Sequence, residues 1–370
     1  MLNFQIATLF GVPLRLNATF AVPFVFVAWV LTFEVYPQLL PRGATATHLA
    51  MALVSVVVFF SALVTHELAH SLVARRYDLK VSDITLFLLG GVARLERDPR
   101  DARTELLMAA AGPLASLVLA VGFASLWFAL GATNGSALQA VVAWLAWMNA
   151  VVAVFNILPV FPLDGGRVFR ALLWMATGNP IRATSVAAWS GRLVAWALLG
   201  VSAATLLRVG PPLLDGAAEA AWFVLIGLFL EVATRQTLAR NRLAATLRRY
   251  RASDLMVADP PVLAPATPLT TLAEDIAEAC YVGADGELAG VFTPPLEDGW
   301  QRSQATAAEA MVPRARLRAT SPDAPASEVL MDMEAGGHEA MPVVTAGRVV
   351  GLISRRRLVG VLEQAGLVPS

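Results

Sequence analysis

Cysteine and charged residues are both scarce in this sequence of 370 residues. The single cysteine, Cys280, excludes a disulfide framework and a cysteine-rich metal site. Only 15% of the residues are charged, where a soluble domain carries about 25%, and 57% are hydrophobic. This composition excludes a disordered chain and argues against a soluble globule. The net charge of zero gives no indication of a nucleic-acid partner, and the apolar excess favours a membrane protein.

Long apolar runs are confined to the part of the chain before residue 235. Six of them are long enough, or nearly so, to cross a bilayer, which takes about 20 apolar residues. They cover residues 18–36, 48–70, 105–130, 138–158, 190–207 and 219–233. The last run is short, so a tilted or re-entrant helix is an alternative there. The first lacks a basic leader and a cleavage site, which predicts an anchor and not a removed signal peptide.

The change in hydropathy near residue 235 predicts a division of the chain. We expect a transmembrane domain over residues 1–235, a basic linker over 236–251 and a second domain over 252–370. The fold class expected is therefore an α-helical polytopic membrane protein followed by a small α/β domain.

Basic residues are distributed unevenly over the connections between the apolar runs. One set of connections carries many arginines and a lysine, whereas the opposite set carries only Arg42 and Arg208. Positively charged loops stay in the cytoplasm. We therefore expect a multi-pass protein of the cell membrane, in contact with the lipid bilayer, with both termini and the second domain cytoplasmic. The basic set comprises Arg15, Arg75, Arg76, Lys80, Arg94, Arg97, Arg100, Arg103, Arg167, Arg170, Arg182, Arg192 and the cluster after Arg235.

The segment 84–93 is apolar but far too short to cross a bilayer. It is rich in β-forming residues and contains the pair Gly90-Gly91. Non-helical backbone at membrane depth is tolerated only where protein buries it or where it lines a water-filled cavity. The sequence predicts a re-entrant strand or hairpin here, and a surface amphipathic segment is the alternative.

Histidine occurs four times, and two of the four lie in the sequence His66-Glu67-Leu68-Ala69-His70. On a helix, residues four apart lie on one face, so both imidazoles can bind one Zn²⁺ with Glu67 beside them. Ionisable groups inside a membrane segment are costly and usually functional. The alternative, that these side chains snorkel to the membrane interface, explains neither their spacing nor their pairing.

A catalytic zinc site needs a third protein ligand and an open position. Asp164 is the best candidate, because it follows the fourth apolar run at the membrane level expected for His66. Pro159 and Pro162 interrupt the helix before it, and the glycine pair after it permits unusual backbone angles. These residues could turn the carboxylate into the bundle interior; an ordinary turn at a helix end is the alternative.

The H-E-x-x-H motif on an apolar helix, followed by N-x-x-P-x-x-P-L-D-G-G, resembles the site-2 protease family of intramembrane zinc metalloproteases. The resemblance covers about residues 10–235. It includes the strand segment 87–93 and the glycine-proline motif of residues 111–116, where Ser116 stands at a position often occupied by asparagine. It implies one zinc ion per chain and a transmembrane protein as substrate. The reaction implied is hydrolysis of peptide bonds within or next to transmembrane segments, in regulated intramembrane proteolysis.

The resemblance also assigns roles to the residues at matching positions. They are His66, His70 and Asp164 as zinc ligands, Glu67 as catalytic base, and Asn156, Gly90 and Gly91 as substrate contacts. Glu67 would take a proton from a zinc-activated water and return it to the leaving amine. The strand near Gly90 would pair with the unwound substrate by β-addition.

Residues 252–370 contain a degenerate repeat. The sequence around Met256 recurs around Met311, and that of residues 286–293 recurs at 347–354. Each unit predicts a strand, a helix and a hairpin, and two units bury one core. The second unit is similar to a CBS domain. The first is similar to a shortened one, in which a helix over residues 269–279 runs almost directly into Tyr281.

A tandem CBS pair often binds adenine nucleotides, but this pair departs from the family pattern. The acidic ribose-binding position is occupied by Leu296 in the first unit and Arg357 in the second. Arginines 355–357 could still meet phosphates, although a solvated basic helix start is the commoner explanation. Nucleotide binding and a structural or homodimerising role therefore both stay open.

Two other functions compete with the intramembrane protease. A transporter or channel regulated by a CBS pair predicts internal symmetry of the spans and charges at the membrane midplane. No repeat relates the first three apolar runs to the last three, and the polar residues concentrate at one membrane level. A catalytically inactive binding protein is disfavoured by the intact Glu67.

Overall fold

The computed structural model describes residues 3–87, 90–95, 97–131, 135–209, 216–272, 279–284, 287–294, 305–346 and 348–367. The chain divides into two compact units, residues 1–238 and 239–370.

Among the described residues, six helices are long and apolar enough to cross a membrane, which confirms the predicted polytopic helical fold. The first candidate span contains two helices, α1 (Ala21–Val30) and α2 (Tyr36–Leu39), which flank a π-helical turn. The six spans are Ala18–Leu39, Thr45–Arg76 (α3), Ala102–Ala129 (α4), Ala137–Ile157 (α5), Pro180–Leu206 (α7) and Glu219–Leu247, which lies in α8 (Ala217–Leu247).

The outward faces of these helices are apolar, as expected where lipid covers them. Phe26, Val118 and Trp147 are among the large hydrophobic side chains that stand exposed. The contacts between helices are rich in small residues, which let membrane helices approach closely. The fully buried alanines include Ala52, Ala109, Ala183, Ala187 and Ala188.

Two helices extend beyond the apolar runs that predict them. α7 begins at Pro180, not near residue 190, because Asn179 caps it by accepting hydrogen bonds from the backbone N–H groups of Ile181 and Arg182. α8 continues to Leu247, so residues 236–247 of the predicted linker are helical. The length of an apolar run reflects the apolar thickness of the bilayer and does not locate the end of the helix. Alanine, leucine and arginine all favour helix, so a helix can continue past the apolar run.

A shorter helix, α6 (Asp164–Thr177), is one that the sequence analysis missed. It begins directly after the proline-containing loop that follows α5, and Gly178 ends it with a φ of +65°. α6 packs against α4 and α7. Its first residue is Asp164, so this side chain begins a helix and does not lie in a simple helix-end turn.

A four-stranded sheet adjoins α3. Its strands, in spatial order, are β1 (Asn3–Leu9), β2 (Val12–Asn17), β3 (Val81–Phe87) and β4 (Gly90–Leu95). The pairs β1–β2 and β3–β4 are antiparallel, whereas β2 and β3 are parallel. The predicted hairpin over residues 84–93 is therefore present, with Leu88 and Leu89 outside the described residues. Its re-entrant placement stays a prediction.

The first hairpin of this sheet, β1–β2, was not predicted from the sequence. Its two-residue turn, Phe10-Gly11, has positive φ at both positions. The buried face of the sheet packs against Val64 and Leu68 of α3. Four side chains form that face: Val12, Leu14, Ile84 and Leu86.

The second unit is a small α/β domain, as predicted. One sheet contains β5 (Val262–Leu263), β6 (Cys280–Ala284), β7 (Glu287–Phe292) and β8 (Val312–Pro313), and the other pairs β9 (Ala340–Thr345) with β10 (Arg348–Ser354). The helices are α9 (Ala252–Leu255), α10 (Ala307–Ala310), α11 (Ala326–Gly336) and α12 (Arg355–Gln364). Of the predicted helix 269–279, Leu269–Thr271 is a 3-10 turn and residues 273–278 lie outside the described residues, as does Leu296.

Candidate metal centre

Three side chains from α3 and α6 meet at one point. His66 Nε2 lies 3.0 Å from Asp164 Oδ2, and His70 Nε2 lies 3.2 Å from the same oxygen. The two Nε2 atoms are 3.2 Å apart. All three groups are largely buried. The distances show that the structure brings together the histidine pair and the aspartate that the sequence predicts to act jointly.

The glycine pair after Asp164 lets α6 begin against the preceding loop. A Cβ on Gly165 would lie 2.3 Å from the carbonyl oxygen of Leu158. A Cβ on Gly166 would lie 2.5 Å from the backbone nitrogen of Phe161. Such distances are closer than any side chain tolerates, so the backbone of α6 packs directly on the backbone of the loop and Asp164 is placed by that contact.

α7 holds the other side of the same loop. A Cβ on Gly191 would lie 2.0 Å from the carbonyl oxygen of Phe161. One residue earlier, the Ser190 hydroxyl donates a hydrogen bond of 2.7 Å to the carbonyl oxygen of Pro159. The loop is thus enclosed by two helices that approach it through glycine.

α4 contacts both imidazole rings, and its two hydrogen-bonding partners meet their Nδ1 atoms. His70 Nδ1 lies 2.7 Å from the carbonyl oxygen of Met108, and His66 Nδ1 lies 2.9 Å from Ser116 Oγ. Gly112 lies between these two contacts, and a Cβ there would come within 2.2 Å of His70 Nε2 and 2.5 Å of His66 Nε2. α4 can approach the histidines only because residue 112 has no side chain.

The hydrogen bond to Met108 determines which nitrogen of His70 is free. A carbonyl oxygen only accepts, so Nδ1 donates and Nε2 of the neutral ring presents a lone pair. That lone pair faces a carboxylate oxygen and the second imidazole nitrogen. Ligands on a tetrahedral zinc ion lie about 3.3 Å apart, since zinc–nitrogen bonds are about 2.05 Å. The donor types and their spacing therefore fit Zn²⁺.

Glu67 lies beside the histidines and touches strand β4. A Cβ on Gly91 would lie 2.7 Å from Glu67 Cγ, so the strand passes against this side chain. Gly91 and Glu67 are therefore neighbours.

Two further residues predicted from the sequence, Asn156 and Gly90, have other surroundings. Asn156 lies in the last turn of α5, and its side-chain amide donates to the carbonyl oxygen of Val152 one turn earlier, at 3.0 Å. Gly90 has a φ of +126°, which favours glycine, and a Cβ there would meet nothing within 4 Å. From the sequence, Gly112 and Ser116 stand out only through the family resemblance. Their spacing of four residues, equal to that of the histidines, is the signal that could have found these contacts.

Comparison with known proteins places these features in a family. The family model of peptidase family M50 matches residues 54–134 and 127–200, and that of the CBS domain matches residues 309–364. The "Putative zinc metalloprotease Rip3" of Mycobacterium tuberculosis is 31% identical over 80% of this chain and 77% of its own length. The "Putative zinc metalloprotease sll0528" of Synechocystis is 27% identical over 98% and 96%.

A solved structure, the site-2 protease from Methanocaldococcus jannaschii, is similar with a TM-score of 0.42 and 26% identity, over 64% of this chain and 95% of that one. The two segments matched by the M50 model contain both histidines, Glu67 and Asp164. The chain therefore belongs to peptidase family M50, the site-2 protease family, and carries a C-terminal CBS domain.

Proposed function

We propose that this chain hydrolyses peptide bonds within or next to the transmembrane segments of membrane-bound proteins, in regulated intramembrane proteolysis. The observation that carries the proposal is the convergence of His66 Nε2, His70 Nε2 and Asp164 Oδ2, which lie 3.0–3.2 Å from one another. A site of three protein atoms supports one zinc ion per chain with a position left open for chemistry.

Each residue of the site has a distinct task. His66, His70 and Asp164 would hold the ion, with the rings oriented from α4. Zinc, when bound, supplies a Lewis acid that polarises the scissile carbonyl and makes water more acidic. Glu67 takes the proton from the attacking water and delivers it to the leaving amine nitrogen as the carbon–nitrogen bond breaks.

Strand β4 is the proposed substrate-binding element. A helical substrate hides its peptide bonds in its own hydrogen bonds, so the segment to be cut must be extended first. Among the described strands, β4 forms one edge of the sheet, and an edge strand offers free backbone donors and acceptors to an extended peptide. The contact between Gly91 and Glu67 would put such a peptide beside the catalytic base. Asn156 is proposed as a further polar contact to the substrate backbone.

The deciding experiment separates zinc binding from chemistry. Candidate single-span membrane proteins are co-expressed with the wild type or with variants, and both cleavage and the zinc content of the purified variants are measured. Glu67→Gln should retain zinc and lose cleavage by at least about 100-fold, because general acid–base catalysis contributes that much. His66→Ala, His70→Ala and Asp164→Ala should weaken zinc binding as well. Cleavage that survives Glu67→Gln would remove the general-base assignment.

For the CBS domain, we propose a structural or homodimerising role in preference to nucleotide binding. Arg355, at the start of α12, forms ion pairs with Glu334 at 3.6 Å and Glu339 at 3.3 Å. An arginine engaged by two carboxylates is less available to a phosphate. Titration of the full chain in detergent with AMP should therefore give no binding heat. If the domain has a homodimerising role, light scattering should report the mass of a dimer. Saturable AMP binding would reverse this preference.

A further inference from the structure

A buried ion pair joins α4 to α6 outside the group of proposed zinc ligands. Arg170 of α6 donates through Nη1 to Glu105 Oε1 of α4, and Glu105 is fully buried. The Arg170 Nε also donates to Thr184 Oγ1 of α7, at 2.7 Å. The guanidinium lies 5.7 Å from the ring centroid of Trp174 in its own helix. Arg170 thus holds α6 against two neighbouring helices.

Glu105 shares one face of α4 with the groups that hold the histidines. Along this helix, Glu105, Met108, Gly112 and Ser116 follow one another at intervals of three and four residues. Residues at that spacing lie above one another on a helix. Met108 and Ser116 contact the two imidazoles, and Glu105 contacts α6. One helical face therefore meets both elements that supply the proposed zinc ligands.

Arg170 lies on α6, a short helix whose first residue is Asp164. Arg170 is six residues after Asp164, about 9 Å along the axis at 1.5 Å per residue. A helix is stiff over that distance, so an anchor at Arg170 determines where the first turn points. Buried ion pairs contribute little net stability because both charges lose their hydration, but they can specify one arrangement among several.

We propose that the Glu105–Arg170 ion pair is a positioning device that attaches α6 to the histidine-holding face of α4 and so determines where Asp164 meets His66 and His70. The inference rests on the proposed function, since it takes these three residues to be the zinc ligands. Glu105 and Arg170 are positioning residues in this scheme, because the contacts described for this pair are with each other, Thr184 and Trp174, and not with the proposed zinc ligands or Glu67.

The test uses the purified full chain in detergent and measures zinc affinity by competition with a chelator. In the double variant Glu105→Leu/Arg170→Met, apolar side chains replace the pair, an exchange that often leaves stability unchanged. Zinc should bind about tenfold more weakly, the lower end of the effect of losing a group that orients a metal ligand. The visible spectrum of the cobalt-substituted protein should change, whereas thermal unfolding of the metal-free protein should stay close to that of the wild type. Wild-type zinc affinity with an unchanged cobalt spectrum would overturn the proposal.

A matched control removes a buried polar contact at the other end of α4. Gln139 of α5 is buried and donates to the carbonyl oxygen of Gly131, just after α4, at 2.7 Å. Gln139→Leu should lower thermal stability and leave zinc affinity unchanged. If Gln139→Leu weakens zinc as much as the double variant does, general destabilisation is the cause and the positioning role is refuted.

Two further variants keep the outcomes separate. Thr184→Val removes one acceptor of Arg170 and keeps both charges, so it provides the test if the double variant does not fold. It should weaken zinc binding a few-fold, and unchanged affinity there would count against the proposal. Asp164→Ala reports on the proposed function itself: unchanged zinc affinity in that variant removes Asp164 as a ligand. If Asp164→Ala loses zinc while the double variant and Thr184→Val keep wild-type zinc affinity, only the positioning role is refuted.

Discussion

Gly112 has no side chain at the point where α4 meets the two imidazole rings. The backbone of α4 comes so close to the histidines that a methyl group there would overlap both Nε2 atoms. Those two atoms face Asp164, so the overlap falls on the ligand atoms themselves. The absence of a side chain at residue 112 is therefore required for the two Nε2 atoms to lie where they do.

Gly112→Ala is expected to weaken zinc binding by about 10- to 100-fold, since forced overpacking costs about 1–3 kcal/mol and here acts on the ligands. Zinc affinity measured by chelator competition checks this. The control is Gly122→Ala in the same helix, where a Cβ would meet nothing within 4 Å. That variant should keep wild-type affinity, and alanine should slightly stabilise the helix. Equal affinities for the two variants would contradict the argument.

At the scale of elements, the β4 edge can be tested with proline. Val92 is exposed, so its replacement costs little core packing, while proline removes a backbone donor and restrains the strand. Val92→Pro should slow cleavage of a co-expressed substrate and keep the zinc content. The control is Ile6→Pro on β1, the opposite edge of the described sheet, at a position where the pairing register is interrupted. Unchanged cleavage in Val92→Pro would refute strand pairing, and equal losses in both variants would indicate a general effect on the sheet.

The contact between α7 and the loop before Asp164 makes a separate prediction. Gly191→Ala would push the carbonyl oxygen of Phe161 away, and Asp164 follows three residues later. We expect weaker zinc binding from a displaced carboxylate with the histidine pair intact. Gly200→Ala in the same helix, where a Cβ would have open space, is the control. Zinc titration of both proteins is the measurement, and a wild-type result for Gly191→Ala would show that the loop can move without consequence.

The elements differ in how far sequence could predict them. The long helices follow from hydropathy, which is a local property, and the histidine pair follows from its spacing. α6 was missed because it is too short and too polar on one face to register as a span. β2 pairs with β3 through Leu14 and Ile84, which are far apart in sequence. The contact of His70 with Met108 uses a backbone oxygen, so no pattern of side chains in the sequence could predict it.

For the molecule as a whole, the arginine distribution leads us to propose cytoplasmic termini and a cytoplasmic CBS domain. Cys280 is the single cysteine, so Cys280→Ser provides a cysteine-free background. In that background, exposed positions can be replaced one at a time by cysteine and labelled on intact cells with an impermeant maleimide. Arg42→Cys and Arg208→Cys should label from outside, whereas Arg100→Cys and Ser321→Cys should label only after lysis. The reverse pattern would invert the topology.

The two hydrogen bonds from α4 to the imidazoles have a thermodynamic consequence for how an ion is captured. Immobilising a side chain costs conformational entropy, and here the rings are ordered by Met108 and Ser116. This entropy is lost when the chain folds, so ordering the rings does not reduce the free energy of ion binding. Capture of an ion would then require little rearrangement of the rings.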